Sequence, residues 1–194
     1  MKKGLILLII PFCLISVCVL LWNEYYRYSL PTSVPDNYKT ISIGHRTSLF
    51  NEYQKPILLH FFNPNCPCSK FNSEYIQSLQ RKYKDRITFL AVVEQAYIKD
   101  YKNTFHFKLI ADDGSIADSL GVYATPQAVI LKDGIIIYRG NYNKARFCTD
   151  KETYFPEIVL DSLLNNKPLP NIPPIASKAY GCNLNSDLNF LKTQ

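Results

Sequence analysis

Two cysteines in the stretch FFNPNCPCSKFN, residues 61–72, carry the clearest chemistry in the chain. Cys66 and Cys68 are separated only by Pro67, and the apolar run PILLHFF ends a few residues before them. Proline is favoured at the first position of a helix, where no backbone donor is needed, so the spacing predicts that Cys66 is the N-cap. A helix N-terminus stabilises a thiolate over a thiol and lowers a cysteine pKa. The pattern predicts a nucleophilic cysteine, and a pair of buried or disulfide-bonded structural cysteines is the alternative.

A disulfide between Cys66 and Cys68 is expected to be labile. Closing a bond across one residue fits the required Cα separation and torsion poorly at a regular helix start. Strain of this kind favours reduction, which suits catalysis or exchange more than structure.

Cys148 and Cys182 flank the last predicted helix. Joined to each other, they would close a loop of about thirty residues and contribute about 3–4 kcal/mol in the chain-entropy model. We expect this structural pair, and the alternative is that one of the two resolves Cys66 from a distance. Cys13 and Cys18 lie in an apolar segment, where they are expected to be small hydrophobes.

His60 lies in the apolar run, six residues before Cys66. An imidazole there could pass a proton to a leaving thiol, since the pKa of histidine is close to the working range. A buried core histidine is the alternative. Cys66, Cys68 and His60 could instead take up Cu(I), which prefers soft ligands. The main interpretation expects no metal and no other cofactor.

The periodicity of the chain predicts an α/β domain. Apolar runs bounded by turn residues predict strands, and apolar residues at three- and four-residue intervals predict helices. The last two strands are joined by a tight turn at Lys132-Asp133-Gly134, which predicts an antiparallel hairpin. The predicted strands are 56–62, 87–93, 107–112, 127–131 and 135–140, and the predicted helices are 66–83, 95–103, a short one in 114–122, and 152–165.

The N-terminus predicts an uncleaved membrane anchor, and a cleaved signal peptide is the alternative. Lys2 and Lys3 precede a stretch without charge from Gly4 to Trp22, which is about the length needed to span a bilayer. The positive-inside rule then places the rest of the chain outside the cytoplasm, where disulfides persist. The formal net charge of +6 comes from scattered residues without a dense basic run, so a nucleic-acid partner is not expected.

The chain as a whole resembles the thioredoxin-like superfamily, in particular membrane-anchored TlpA-like redoxins. LLHFFNPNCPCS is similar to the strand and dithiol of that family, and YATPQAVILKDGIIIYRG is similar to its cis-proline loop and closing hairpin. The resemblance implies a central mixed β-sheet flanked by helices, and a Thr125-Pro126 loop that holds a substrate strand by backbone contacts. The family's second cysteine is replaced by Ser69, which cannot resolve a mixed disulfide.

We therefore expect a transmembrane segment at residues 1–23, a linker at 24–38 and a thioredoxin-like domain at 39–194. The expected function is thiol-disulfide exchange with protein substrates at the outer face of the cell (inner) membrane, on the periplasmic side, anchored through residues 4–22. Cys66 would attack, and Cys68 would resolve or tune. A copper-handling protein and a catalytically idle binding module on the same fold are the alternatives.

Overall fold

The structure is a computed structural model, and it describes four parts of the chain. These are residues 2–26, 30–101, 105–144 and 149–184, with the backbone alone described at 2–7, 24 and 25. The chain forms two compact units, Met1–Pro31 and Thr32–Gln194.

The first unit contains helix α1, Lys2–Leu21, followed by a π-helical segment, Trp22–Tyr26. Its described side chains are mostly apolar and exposed, including Phe12 and Leu14. Within the part of the chain that the structure describes, no helix is both long enough and apolar enough to cross a lipid bilayer. The spanning helix predicted at residues 4–22 is therefore not supported.

The second unit alternates strands and helices, as the apolar pattern predicts. Its elements are β1 (Ile57–Phe61), α2 (Pro67–Phe71), α3 (Ser73–Tyr83), β2 (Thr88–Glu94), β3 (Lys108–Asp112), α4 (Ser115–Leu120), β4 (Ala124–Thr125), β5 (Gln127–Lys132), β6 (Ile135–Gly140), α5 (Phe155–Leu164) and β7 (Cys182–Asn183).

Five of these strands form one mixed sheet in the order β3-β2-β1-β5-β6. Strands β1, β2 and β3 are parallel, whereas β5 runs antiparallel to both β1 and β6. The parallel strands are joined through helical segments and the antiparallel pair through a tight turn, as their directions require. The predicted mixed sheet with a closing hairpin is confirmed.

Both faces of the sheet are covered, which explains why β1 is buried at every position. Alternate strand residues such as Leu58 and Ile130 pack with α3 and α5, and the intervening ones, such as Leu59 and Val129, pack with α4. Since β1 is the central strand, its C-terminal end is held firmly, and the cysteine motif begins a few residues beyond it.

The helix predicted over 66–83 is divided into α2 and α3 at Asn72. The Asn72 side chain donates a hydrogen bond to the Cys68 carbonyl oxygen at 3.0 Å, so it competes with the backbone for that acceptor. Phe71, the last residue of α2, is exposed. The helix predicted at 95–103 is a 3-10 helix at Gln95–Asp100, and residues 102–104 lie outside the described part.

The C-terminal tail, from the end of α5 to Leu184, returns across the molecule and ends in β7. Strand β7 pairs antiparallel with β4, with Thr125 opposite Cys182 and Ala124 opposite Asn183. This two-stranded sheet was not predicted, because two short segments without periodicity form it. It places the tail on the loop that precedes β5.

Candidate functional site

Cys66 lies at the N-cap of α2, and Pro67 occupies the start of the helix, as predicted. Its backbone is extended, with φ −83° and ψ 121°, so the chain turns from the loop after β1 directly into the helix. The side chain is 1% exposed. The fold therefore presents this sulfur at a strand-to-helix junction, beneath the surface of the oxidised molecule.

The partner of Cys66 is Cys182. The two residues, 116 positions apart in sequence, form a disulfide with a Cα–Cα distance of 6.0 Å. Because Cys182 is bonded to Cys66, the expected Cys148–Cys182 pair is wrong for this state of the molecule, and Cys148 itself lies outside the described residues. The alternative in which a distant cysteine joins Cys66 is the one that this structure contains.

The loop at Thr125 and Pro126 faces the disulfide. The peptide bond between these residues is cis, and the Thr125 carbonyl oxygen lies 3.7 Å from the Cys66 sulfur. Thr125 is also the residue that pairs with Cys182 in the β4–β7 ladder. The structure thus brings together Cys66, Cys182 and the predicted proline loop at one point.

Cys68 and Ser69 point into the protein from α2. Cys68 is a buried thiol, 2% exposed, and is not bonded to Cys66. Ser69 is fully buried, and its hydroxyl oxygen accepts a hydrogen bond from the Asn63 backbone N–H at 3.3 Å. Ser69 therefore ties the loop after β1 to α2.

His60 is fully buried in β1 and surrounded by aromatic rings. Its Nδ1 lies 2.8 Å from the Tyr142 hydroxyl oxygen, and its ring packs edge to face on Phe105 and Tyr142. Burial lowers the pKa of His60 to about 3, so the imidazole is neutral near neutral pH. Its Nε2 has no hydrogen-bond partner among the described residues. The proton-transfer role predicted for His60 stays a prediction.

Among the described residues, no three or more His, Cys, Asp or Glu side chains are placed together to hold a metal ion. The pair Cys66 and Cys182 has its sulfurs joined to each other. Copper handling stays an untested alternative.

Backbone and amide contacts hold the tail on the second unit. The Thr32 hydroxyl donates to the Gly181 carbonyl oxygen at 3.0 Å, and the Leu184 N–H donates to the Tyr123 carbonyl oxygen at 2.9 Å. The Asn141 amide donates to the carbonyl oxygens of Ile175 and Lys178. Leu184 is 4% exposed in the apolar cluster on the α4 side of the sheet. The tail is a packed part of the domain, and Cys182 reaches Cys66 because of it.

From the sequence, Cys182 is a candidate partner of Cys66 only as the alternative to a Cys148–Cys182 pair, and the pairing of its neighbours with β4 is not predicted. The available signal was the Gly181-Cys182 dipeptide after a proline-rich stretch, since proline and glycine disfavour a helix and leave an extended tail. That signal predicts an extended segment but does not predict that it pairs with β4.

A family model, Domain of unknown function (DUF6436), matches residues 38–184. The chain belongs to this family. The DUF6436 match spans every strand of the main sheet, the cysteine motif and the tail through Leu184. A search of curated proteins found no match.

Among solved structures, the chain is similar to a hypothetical protein from Sinorhizobium meliloti. The TM-score is 0.60 at 18% identity, over 75% of this chain and 95% of that one. An uncharacterised conserved protein from Geobacillus kaustophilus gives a TM-score of 0.59 at 16% identity, over 78% of this chain and 96% of that one. A Chlorobium tepidum protein provisionally named thiol:disulfide interchange protein DsbE gives a TM-score of 0.46 at 17% identity, over 52% of this chain and 85% of that one.

The chain has a thioredoxin-like fold, as the resemblance in its sequence implies. The parallel β1–β2 pair, the antiparallel β5–β6 hairpin and the cis-proline before β5 are arranged as that resemblance predicts. The bonded cysteine pair differs from the dithiol that the resemblance implies, because its second cysteine comes from the tail.

Proposed function

We propose that this protein exchanges thiols and disulfides with protein substrates, with Cys66 as the attacking cysteine and Cys182 as the resolving one. The observation that carries the proposal is the Cys66–Cys182 disulfide beside the Thr125 carbonyl oxygen. Cys66 has the position of an activated nucleophile, because it begins a helix directly after an extended segment.

The chemistry is a pair of thiol-disulfide exchanges. In the reduced protein, the Cys66 thiolate attacks a substrate disulfide, a bond forms between Cys66 and one substrate sulfur, and the other substrate sulfur leaves as a thiolate and takes a proton. The Cys182 thiolate then attacks the Cys66 sulfur, which releases the second substrate thiolate. The substrate has gained two electrons, and the protein is left with the Cys66–Cys182 bond. The same steps in reverse oxidise a substrate dithiol.

Cys182 supports the resolving role better than Cys68 does. Cys182 is already placed for bonding to Cys66, whereas Cys68 is buried behind it in the same short helix. A helix start also fits the Cα separation of a bond across one residue poorly. Cys68 therefore takes part in neither of the two exchange steps that we propose.

The proposal includes a location outside the cytoplasm, on the periplasmic side of the inner membrane and attached to it through residues 4–22. The charge pattern at the N-terminus supports the orientation. The Cys66–Cys182 disulfide supports a location outside the cytoplasm, because disulfides persist where the environment is oxidising. Alkaline phosphatase fused after Gln194 should be active in this arrangement, and an inactive fusion would contradict the orientation.

The test of the exchange mechanism is a single-turnover reaction of the reduced, desalted protein with insulin, stopped with acid. The native chain should reduce insulin, and Cys66→Ser should not. Cys182→Ser should accumulate a mixed disulfide with insulin, because attack survives and resolution fails.

Cys68→Ser is the matched control, since it removes a neighbouring thiol from the same helix. It should turn over insulin without trapping it. If Cys68→Ser traps insulin while Cys182→Ser does not, Cys68 is the resolving residue and the proposal is wrong.

A further inference from the structure

The β4 edge at Ala124–Thr125 is occupied by the chain's own tail. Asn183 and Cys182 pair with Ala124 and Thr125, respectively, and the ladder is continued by the Leu184 hydrogen bond to Tyr123. The resemblance to thioredoxin-like proteins implies that the Thr125-Pro126 loop also holds an extended substrate, so the tail and a substrate cannot both be paired with this edge. Each exchange at Cys66 therefore requires one strand to replace the other.

The tail fits this edge only because residue 181 is glycine. Gly181 has φ +143°, in the region that side-chain-bearing residues rarely adopt. A Cβ atom there would lie 2.0 Å from the Thr125 carbonyl oxygen and 3.3 Å from Pro126 Cδ. Both atoms belong to the loop backbone or to its proline ring, which cannot swing aside as a flexible side chain could.

The same carbonyl oxygen contacts both the glycine and the reactive sulfur. Thr125 O is 3.7 Å from Cys66 Sγ and is the atom that a Cβ at position 181 would strike. When a partner cysteine approaches Cys66 along the β4 edge, the residue that precedes this cysteine in its own chain must therefore lie directly over the Thr125 carbonyl oxygen. That geometry admits glycine and obstructs other residues.

Buried polar atoms at the edge are left unpaired while the tail is in place. Thr125 Oγ1, in β4, and Gln127 Oε1, at the start of β5, have no hydrogen-bond partner among the described residues. An unpaired buried polar atom is unfavourable, so the tail does not satisfy all of the edge's hydrogen-bonding capacity. Another strand that satisfies these atoms can compete with the tail.

We propose that this protein prefers partner cysteines that directly follow a glycine in an extended segment, and that its own Gly181-Cys182 tail competes with such partners for the Ala124–Thr125 edge. This inference rests on the proposed function, because it assumes that Cys66 is the attacking cysteine. The partner is a protein or peptide segment of Gly-Cys type, bound antiparallel to β4. The tail is the intramolecular form of the same ligand.

The test uses the reduced full-length Cys182→Ser chain and two peptides. One is Ala-Tyr-Gly-Cys-Asn-Leu, the sequence of residues 179–184, and the other has alanine in place of the glycine. Each peptide carries a 2-thiopyridyl group on its cysteine. Attack by Cys66 joins the peptide to the protein and releases pyridine-2-thione; its absorbance, after subtraction of the signal from the Cys66→Ser/Cys182→Ser chain, gives the rate at Cys66.

The glycine peptide should react at least about fivefold faster than the alanine peptide, which corresponds to the low end of the penalty for forcing extra atoms into a packed site. Both rates are divided by the rate with 2,2′-dithiodipyridine, which has no peptide backbone. Equal normalised rates would overturn the glycine preference while leaving Cys66 as the nucleophile. If Cys66 fails to react with 2,2′-dithiodipyridine, the proposed function itself has failed.

Competition by the tail is tested in the full chain with all cysteines present. Gly181→Ala should shift the Cys66–Cys182 bond toward the reduced form in a glutathione redox buffer and speed reaction of the reduced protein with the glycine peptide. Gly44→Ala is the matched control, because Gly44 also has positive φ, +89°, but a Cβ there meets no atom within 4 Å. If the two variants shift the redox equilibrium equally, the tail contact has no part in it and the competition is overturned.

Discussion

Cys66 lies where three pieces of backbone meet: the segment after β1, the first turn of α2 and the Thr125 carbonyl. The sequence predicted the first two, because an apolar run followed by a Cys-Pro dipeptide indicates a strand and a helix start. The third follows from the resemblance to thioredoxin-like proteins. The sequence does not identify which cysteine bonds to Cys66, because the position of a partner 116 residues away depends on the path of the whole tail.

His60 allows a test of the site's interior through pH. Burial lowers the pKa of His60 to about 3 in the folded protein, whereas an exposed histidine in the unfolded chain has a pKa of about 6.5. Below pH 6.5 the unfolded chain gains a proton that the folded chain does not, so stability falls as the pH drops toward 3. At pH 5 this amounts to about 2 kcal/mol of unfolding free energy.

His60→Phe is the comparison variant, because phenylalanine keeps an aromatic ring without a titrating group. Urea unfolding at pH 7 and pH 5 should show the native chain losing more stability between the two values than His60→Phe does. The variant is expected to be less stable at both values, since the hydrogen bond between His60 and the Tyr142 hydroxyl is lost. An identical loss in the two proteins would show that His60 does not remain neutral in the fold.

At the scale of elements, the strands were more predictable than the connections. Runs such as ITFLAVV and QAVIL are buried on both faces, so composition alone identifies them. The break at Asn72 was not predictable from apolar spacing, because a single side-chain hydrogen bond to the Cys68 carbonyl accompanies it. The β4–β7 pair was missed for a related reason, since each strand has only two residues and neither carries a pattern.

The tail's packing on the sheet should control the redox equilibrium. Leu184 is buried with residues of β1, β5 and α4, so Leu184→Ala should lower the unfolding free energy by about 2–5 kcal/mol. It should also loosen the segment that carries Cys182. Because 1.4 kcal/mol corresponds to about 30 mV for a two-electron couple, the reduction potential should rise by roughly 30 mV or more. Glutathione titration of the purified protein measures this shift.

Leu59→Ala is the matched control, because Leu59 lies in the same apolar cluster but on the central strand. It should reduce stability by a similar amount and leave the potential nearly unchanged, since it affects the oxidised and reduced proteins alike. Equal shifts in potential for the two variants would contradict the role given to the tail.

At the scale of the whole molecule, the disulfide closes a loop that contains nearly the entire sheet. The bond joins residues 116 positions apart, for which the chain-entropy model gives about 5 kcal/mol. Reduction should therefore lower the free energy of unfolding by about 2–4 kcal/mol, the typical measured range. Denaturant unfolding with and without a reductant measures the difference.

Cys68→Ser is the control variant, and it should show the same difference in unfolding free energy, because Cys68 is outside the bond. If the reductant has no effect on the stability of the native chain, the Cys66–Cys182 pairing is contradicted.

The central claim is that Cys66 and Cys182 form the redox pair, and peptide mapping without reduction tests it most directly. After alkylation of thiols and digestion with trypsin, Cys66 and Cys68 lie on the peptide 47–70, Cys182 on 179–192 and Cys148 on 147–151. We predict that 47–70 is joined to 179–192, with the alkyl group on Cys68, and that reaction with a substrate dithiol separates the two peptides. A bond between 147–151 and 179–192, or a bond within 47–70, would contradict it.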